Sequence, residues 1–441
     1  MCLIIEESHI IQIYEKVITM KNQRNLLKHP SLSAFVILTF CIHFTLYGQV
    51  KPTIEGAGIN EQVFTFNIGK FKCVSINDGD HYYQLKDFFT NVPEPQIKDT
   101  LRKHNLPTES MYSPYTHLIV NTGEYKILMD MGMGGNLARN MKTADIKPTD
   151  IDIIIITHAH PDHIGGTLDK EGNPMYPNAQ YYIHKDEWDF WFSDQAYEMA
   201  NEWFINKARE QLGPVKEKMN FITDDTEILP GVKLISAPGH TPGHIITSFT
   251  SEEEILYYAG DVVLNPLHLE YPDWIPIYDI LPDKAAITKE RVFDLLAQEK
   301  AWVIAQHFPP FPSLGLIEKE GKKWKWQPVK VKLPEFPKHQ INVIVIPETL
   351  PESSKLYITG NQPEIGKWDP AKVPLVDNSD GSWRGTFAIK ENKQLEFKIT
   401  RGSWDSEAAS NDGKIPPNCV INVQSDTTLT IKIENWKDLV K

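Results

Sequence analysis

The feature that most constrains this chain is a run of five isoleucines, Ile151, Ile153, Ile154, Ile155 and Ile156, that stops at Thr157-His158-Ala159-His160-Pro161-Asp162-His163. A nearly continuous apolar run of this kind reads as a strand buried on both faces. Such a strand needs covering layers, so the expected class is α/β, with sheets flanked by helices. Where the strand ends, three imidazoles and one carboxylate crowd into six consecutive residues. These are donors that zinc, manganese and iron accept in open catalytic sites. A rigid strand delivering such a loop predicts a site for one or two cations.

The same alternation extends from about residue 60 to 310. Strands are expected at 63–68, 71–76, 117–120, 126–129, 180–184, 232–236, 245–249, 255–258 and 302–305, and helices over 186–211 and 284–299. At 441 residues the chain is long enough for two domains. The first is placed at 50–315. Residues 316–340 carry Lys319, Lys322, Lys323, Lys325, Lys330 and Lys332 among Pro328, Pro334 and Pro337, which reads as a solvated closing strand and linker. From 341 to 441, short strand-like runs broken by Gly, Asn, Asp and Pro predict a small all-β sandwich. A net charge of −13 supplies no basic face for nucleic acid, so none is expected as a partner.

Residues 1–49 read as a leader. A second methionine, Met20, offers an alternative start, followed by Lys21, Arg24 and Lys28 and by an apolar stretch over 33–47. That is the layout of a secretory signal peptide, which implies a periplasmic or secreted protein. The stretch is shorter than the roughly 18 apolar residues of a membrane span, so no stable anchor is expected once the leader is removed. Phe40 before Cys41 is too bulky for lipoprotein processing. Cys73 and Cys419 are then the remaining cysteines, too few for a disulfide framework.

One loop cannot fill a two-cation site. Further candidates follow other apolar runs: His240 and His244 in Gly239-His240-Thr241-Pro242-Gly243-His244, Asp261 in Tyr258-Ala259-Gly260-Asp261, His307 in Ile304-Ala305-Gln306-His307, and Asp130 in Leu128-Met129-Asp130-Met131-Gly132. Delivered by strand ends, all are expected at one edge of the layered sheets.

Together these segments resemble the metallo-β-lactamase superfamily over roughly residues 60–315. The resemblance implies an αββα sandwich with two divalent cations, zinc being the expected identity. It also implies a ligand set: His158, His160 and His240 for one cation, Asp162, His163 and His307 for the other, and Asp261 bridging. Asp130 and His244 are expected to support the ligands from behind. The expected chemistry is hydrolysis by a bridging hydroxide, its pKa lowered by the cations, with Asp162 passing a proton to the leaving group.

Within the superfamily, the stretches from His268 to Trp274 and from Gln306 to Pro312, with Asp279, resemble the lactonase and methyl-parathion-hydrolase-like group. That implies a small-molecule lactone, carboxyl ester or phosphotriester as substrate. A glyoxalase II-like thioesterase is the alternative, although cationic residues for a glutathione thioester are not identifiable. Acyl-homoserine lactonases place a tyrosine three residues past the bridging aspartate, where this chain has Leu264. Trp188, Trp191, Trp274 and Phe308 are expected either to line the pocket or to pack in the core.

Beyond 341, Gly366-Lys367-Trp368-Asp369-Pro370 and Phe397-Lys398-Ile399-Thr400-Arg401-Gly402-Ser403-Trp404 resemble a starch-binding domain of the carbohydrate-binding module type. The resemblance implies that Trp368, with Trp404, stacks on a starch-like polysaccharide. A rival reading of the whole chain is a carbohydrate-binding protein whose hydrolase domain is accessory.

Overall fold

The computed structural model describes residues 56–331, 336–391 and 393–440. The leader, with Met20 and Cys41, lies outside them, as do Lys332 and Pro334. Among the described residues the chain divides into two compact units, the larger built chiefly on residues 65–331 and the other chiefly on 336–440.

The first unit is an αββα sandwich. One sheet has eight strands whose order in space is their order in the chain: β1 (Gly56–Asn60), β2 (Val63–Ile68), β3 (Phe71–Tyr83), β4 (Met111–Asn121), β5 (Lys126–Met129), β6 (Ile153–Ile155), β7 (Gln180–His184) and β8 (Met219–Ile222). From β5 to β8 the pairing is parallel, with Ile127 opposite Ile153 and Ile153 opposite Gln180. Parallel strands are covered on both faces, which is why the isoleucine run shows no polar alternation and is buried throughout.

The second sheet comprises β9 (Thr226–Leu229), β10 (Val232–Ser236), β11 (Ile245–Ser251), β12 (Glu254–Tyr258), β13 (Trp302–Ile304), β14 (Leu314–Glu320) and β15 (Lys323–Pro328), ordered β15-β14-β13-β12-β11-β10-β9. A long helix at Pro282–Glu299 buries Val292, Phe293 and Leu296 against Val303, Ile317 and Trp324. The lysine-rich segment therefore begins as strand, and the sheet continues past residue 315 to Pro328. Lys319, Lys322, Lys323, Lys325 and Lys330 stay exposed while Trp324 turns inward.

The helical region over 186–211 is three helices: α1 (Lys185–Phe192), a single turn at Ala196–Met199, and α2 (Glu202–Leu212). Extended backbone at Ser193 stops the first, and the Asn201 side chain caps the last by accepting the Trp203 N–H. Strands β8 and β9 escape the periodicity argument because most of their residues are only half-buried. No helix among the described residues is long and apolar enough to cross a membrane.

The second unit packs two four-stranded sheets. The strand Lys338–Pro347 alternates strictly, turning Ile341, Val343 and Val345 inward against Ile358, Leu395, Phe397 and Ile399. It pairs parallel with Thr427–Ile433, so the first and last long strands of the sandwich lie side by side.

Candidate metal centre

The buried strand β6 ends at Ile155, and the loop after it is fixed by the neighbouring strand. Asp130, just past β5, accepts the Thr157 N–H and the Thr157 hydroxyl, both at 2.8 Å. The same carboxylate takes the Nδ1 proton of His163 at 2.7 Å. His160 then opens the short helix Pro161–Ile164, with proline at its first position. One carboxylate thereby orients the loop and one of its imidazoles.

The remaining candidates arrive from the second sheet. Asp261 follows β12 through Gly260, whose φ is +50°. A Cβ on Gly260 would stand 2.9 Å from His244 Nε2 and 3.1 Å from Thr157 Cβ, so glycine is required there. His244 Nε2 accepts the Asp261 N–H at 3.0 Å, which places His244 behind the cluster as a holder of Asp261. His240 gives its Nδ1 side to Asp279 at 2.8 Å, and Asp279 in turn meets the Lys289 ammonium at 2.9 Å. His307 Nδ1 lies 3.0 Å from the Ser113 hydroxyl and 3.2 Å from the Pro114 carbonyl.

Two groups result. His158, His160, His240 and Asp261 form one; Asp162, His163, Asp261 and His307 form the other. Within each, the ligand atoms lie within 4.8 Å of one another. All seven residues named from the sequence are brought together, and Asp261 belongs to both groups. Facing the interior are His158 Nε2, His163 Nε2 and Asp261 Oδ1, each buried without a hydrogen-bond partner. Orphaned lone pairs converging on one point, with their opposite sides already engaged, fit divalent cations.

Electrostatics divides the imidazoles. Burial, with His163 and His160 nearby, pushes His158 well below the usual histidine range, and burial with His240 takes His160 down to about 3. Burial also opposes charge on His163, yet Asp261, Asp130 and Asp162 hold it well above that range. His307 is likewise raised to about 9 by Asp261 and Asp162 against its own burial. For Asp162 burial favours the acid, but His163 and His307 outweigh it and draw it to about 2. Asp162 is therefore a carboxylate at neutral pH.

Several functional residues had no obvious sequence signal. Glu187, fully buried on α1, accepts the Ala159 N–H at 2.9 Å and the Trp191 indole N–H at 2.6 Å through one oxygen. Its other oxygen takes the Thr241 hydroxyl at 2.6 Å and the Gly243 N–H at 3.0 Å. It thus clamps the loop carrying His158 and His160 to the loop carrying His240. A carboxylate at position i bonded to a tryptophan at i+4 on a helix's inner face is the only trace of this in the sequence.

Over the two groups lies a cavity of about 270 Å³. Tyr83, Phe88, Tyr115, Met133, Trp203, Phe204, Leu264 and Tyr278 form most of its wall, with His160, Asp162, Asp261 and His307 at its floor. The aromatics named from the sequence are elsewhere. Trp188 stacks on Phe192 with centroids 4.0 Å apart, Trp274 on Tyr271 at 4.4 Å, and Phe308 meets Trp326 edge-on at 5.1 Å. Trp191 touches His160 edge-on but is committed to Glu187. All four serve the core, because each faces the interior of its own layer. Leu264 does line the cavity.

In the second unit, Trp368 and Trp404 come together with centroids 6.4 Å apart and planes tilted by 37°. Gly366, Lys367 and Trp368 all have positive φ, a tight reversal at which Trp368 is half-buried.

Residues 112–307 match the family model of the metallo-beta-lactamase superfamily, and residues 338–432 that of the starch binding domain. An N-acyl homoserine lactonase of Bacillus thuringiensis is 25% identical over 190 residues, 42% of this chain and 66% of the relative, so the match spans just under two thirds of that relative's length. Among solved structures, AidC, a dizinc quorum-quenching lactonase in complex with a product, is similar with a TM-score of 0.59 and 28% identity, over 62% of this chain and 98% of its own. The hydrolase AbOPH of the beta lactamase superfamily gives a TM-score of 0.57 and 26% identity, over 63% and 99%.

Proposed function

We propose that this chain, a metallo-β-lactamase superfamily hydrolase joined to a starch-binding domain, cleaves neutral lactones, carboxyl esters or phosphotriesters at a centre of two divalent cations. The observation that carries the reading is the cavity lining: aromatic and apolar side chains surround the ligand floor, and neither lysine nor arginine is among the residues that line it. The charged groups of a glutathione thioester, which extend away from the reacting carbon, would find no lysine or arginine on the wall, which disfavours the thioesterase alternative.

His158, His160, His240 and Asp261 would hold one cation, and Asp162, His163, His307 and Asp261 the other. So placed, the pair supplies Lewis acidity for the electrophilic oxygen and a nucleophilic water at neutral pH. Zinc is the proposed identity, supported by the imidazole-rich donors. The chain's own residues do the rest. Asp130, Asp279 and Ser113 hold the outer nitrogens of His163, His240 and His307, fixing which nitrogen faces inward. Asp162, ionised and lining the cavity, takes a proton from the attacking water and returns it to the leaving oxygen. Phe88, Phe204 and Leu264 keep bulk water from the reacting bond.

The leader supports export, and the paired rings of Trp368 and Trp404 support a sugar platform in the second unit. A panel of lactones, p-nitrophenyl esters, phosphotriesters, a β-lactam and a glutathione thioester, offered to metal-replete protein, tests the reading. Turnover of the neutral substrates, abolished by a chelator and restored by zinc, is expected. Hydrolysis indifferent to chelation, or confined to the thioester, rejects it. Cell fractionation checks the location, and retention on starch gel checks the platform.

A further inference from the structure

We propose that the hydroxyl pair Tyr83–Tyr115 is the element of this cavity that grips the substrate's electrophilic oxygen, Tyr115 donating to it and Tyr83 setting the direction of that bond. The proposal rests on the hydrolysis reading above and adds a substrate-contacting group to it.

Both side chains line the cavity whose floor holds Asp162, Asp261 and His307. Their hydroxyl oxygens are 2.7 Å apart. Two phenols carry two protons and share one between them. With Tyr83 as the inner donor, the Tyr115 proton is left for a third atom. Tyr115 is the member nearer the ligands: its ring meets His307 edge-on with centroids 5.5 Å apart. The two residues before it, Ser113 and Pro114, hold His307 Nδ1. One stretch of β4 therefore places both a ligand and a donor.

The side chains of the floor cannot supply this hydrogen bond. Asp162 and Asp261 only accept when ionised, and His160 and His307 are committed to the two ligand groups. Tyr83 is itself held, with edge-on contacts to His81 at 4.6 Å, Phe88 at 5.1 Å and Tyr278 at 5.9 Å. A phenol ionises near pH 10 in water and is protonated at neutral pH. Each stays a neutral donor, suited to a neutral carbonyl or phosphoryl oxygen.

The test compares Y115F, Y83F, the double variant and Y82F in zinc-replete full-length protein, Tyr82 being an exposed neighbour outside the cavity lining. Turnover is measured on a lactone and an aryl ester, alongside metal content, thermal midpoint and calorimetric binding of cycloheptanone, a neutral carbonyl with no bond to hydrolyse. Y115F should lose on the order of 100-fold in kcat/KM, mainly through kcat, with metal content and midpoint unchanged. Y83F should lose about tenfold, and the double variant no more than Y115F, because the pair acts as a unit. Cycloheptanone binding should weaken in step, and Y82F should match the parent. Turnover and ketone binding unchanged in Y115F overturn the proposal, as do losses that simply multiply in the double variant. If the parent hydrolyses nothing yet binds the ketone through Tyr115, the pair stands and the hydrolysis reading falls. A parent that neither turns over nor binds overturns both.

Discussion

The floor of the cavity and its wall are built on opposite plans. The floor is a set of short loops, each tied from behind by a buried group: Asp130 behind His163, Asp279 behind His240, Glu187 between the loops, and His244 behind Asp261. The wall is a collection of large side chains from separate elements, from β3 and β4 to the start of α2 and the segment near Tyr278, joined mainly by packing. Hydrogen bonds fix direction, so the floor is committed to one chemistry. Packing tolerates exchange of shape, so the wall is where substrate preference resides.

The comparison breaks if changing the floor merely tunes activity or if changing the packed side chains of the wall, the hydrogen-bonded Tyr83–Tyr115 pair aside, abolishes it. The largest effect is expected for Asp261→Ala, which removes a ligand from both groups. Its kcat should fall on the order of 10³-fold or more, with loss of bound metal by elemental analysis. Glu187→Ala comes next: four donors lose their acceptor, at about 3 kcal/mol or more of stability, read by urea denaturation of the chelated protein.

Asp279→Asn should weaken metal affinity by about 10- to 100-fold, measured by competition with a chromophoric chelator. A second reading of that variant follows from charge. Burial would raise the Asp279 acid, but the Lys289 ammonium and His240 hold it at about 2, against about 3.9 in an unfolded chain. A depressed carboxylate stabilises the fold above its unfolded value, and that contribution is lost as pH falls from about 4 through 2. Acid unfolding of metal-free Asp279→Asn should therefore show a flatter slope in that window.

On the wall, Phe204→Ala should raise KM about three- to tenfold for long-chain esters while leaving metal content unchanged. The smallest effect on turnover is expected for Trp368→Ala. Small-substrate hydrolysis should match the parent, while retention on starch gel drops.

This contrast also explains what the sequence revealed. The candidate ligands were legible because metal chemistry restricts them to His and Asp, and because each loop that carries them follows an apolar run. His158 to His163 even declares itself within one loop. Glu187 was not, and Asp279 was named only within a resemblance and without its role behind His240, since a buried carboxylate on a helix or in a loop looks like any charged residue until its donors are seen. The wall was left open for a related reason. Trp188, Trp274 and Phe308 are aromatic and near the motifs, but whether a ring faces a cavity or a core depends on layer packing, which periodicity does not encode. Tyr83 and Tyr115 meet across the β3–β4 pair from positions separated by 32 residues. The isoleucine strand β6 was read correctly because burial on both faces leaves an unmistakable run, whereas the half-buried β8 and β9 left none.

The place of Asp261 in both ligand groups bears on how such a centre evolves. No substitution there can retune one half without disturbing the other, and Gly260, His244 and Thr157 leave its backbone no room to drift. Selection for a new substrate is thereby channelled outward, to rings and methyls that can be exchanged one at a time. A lineage built on this centre is expected to diversify by its walls while inheriting its floor intact.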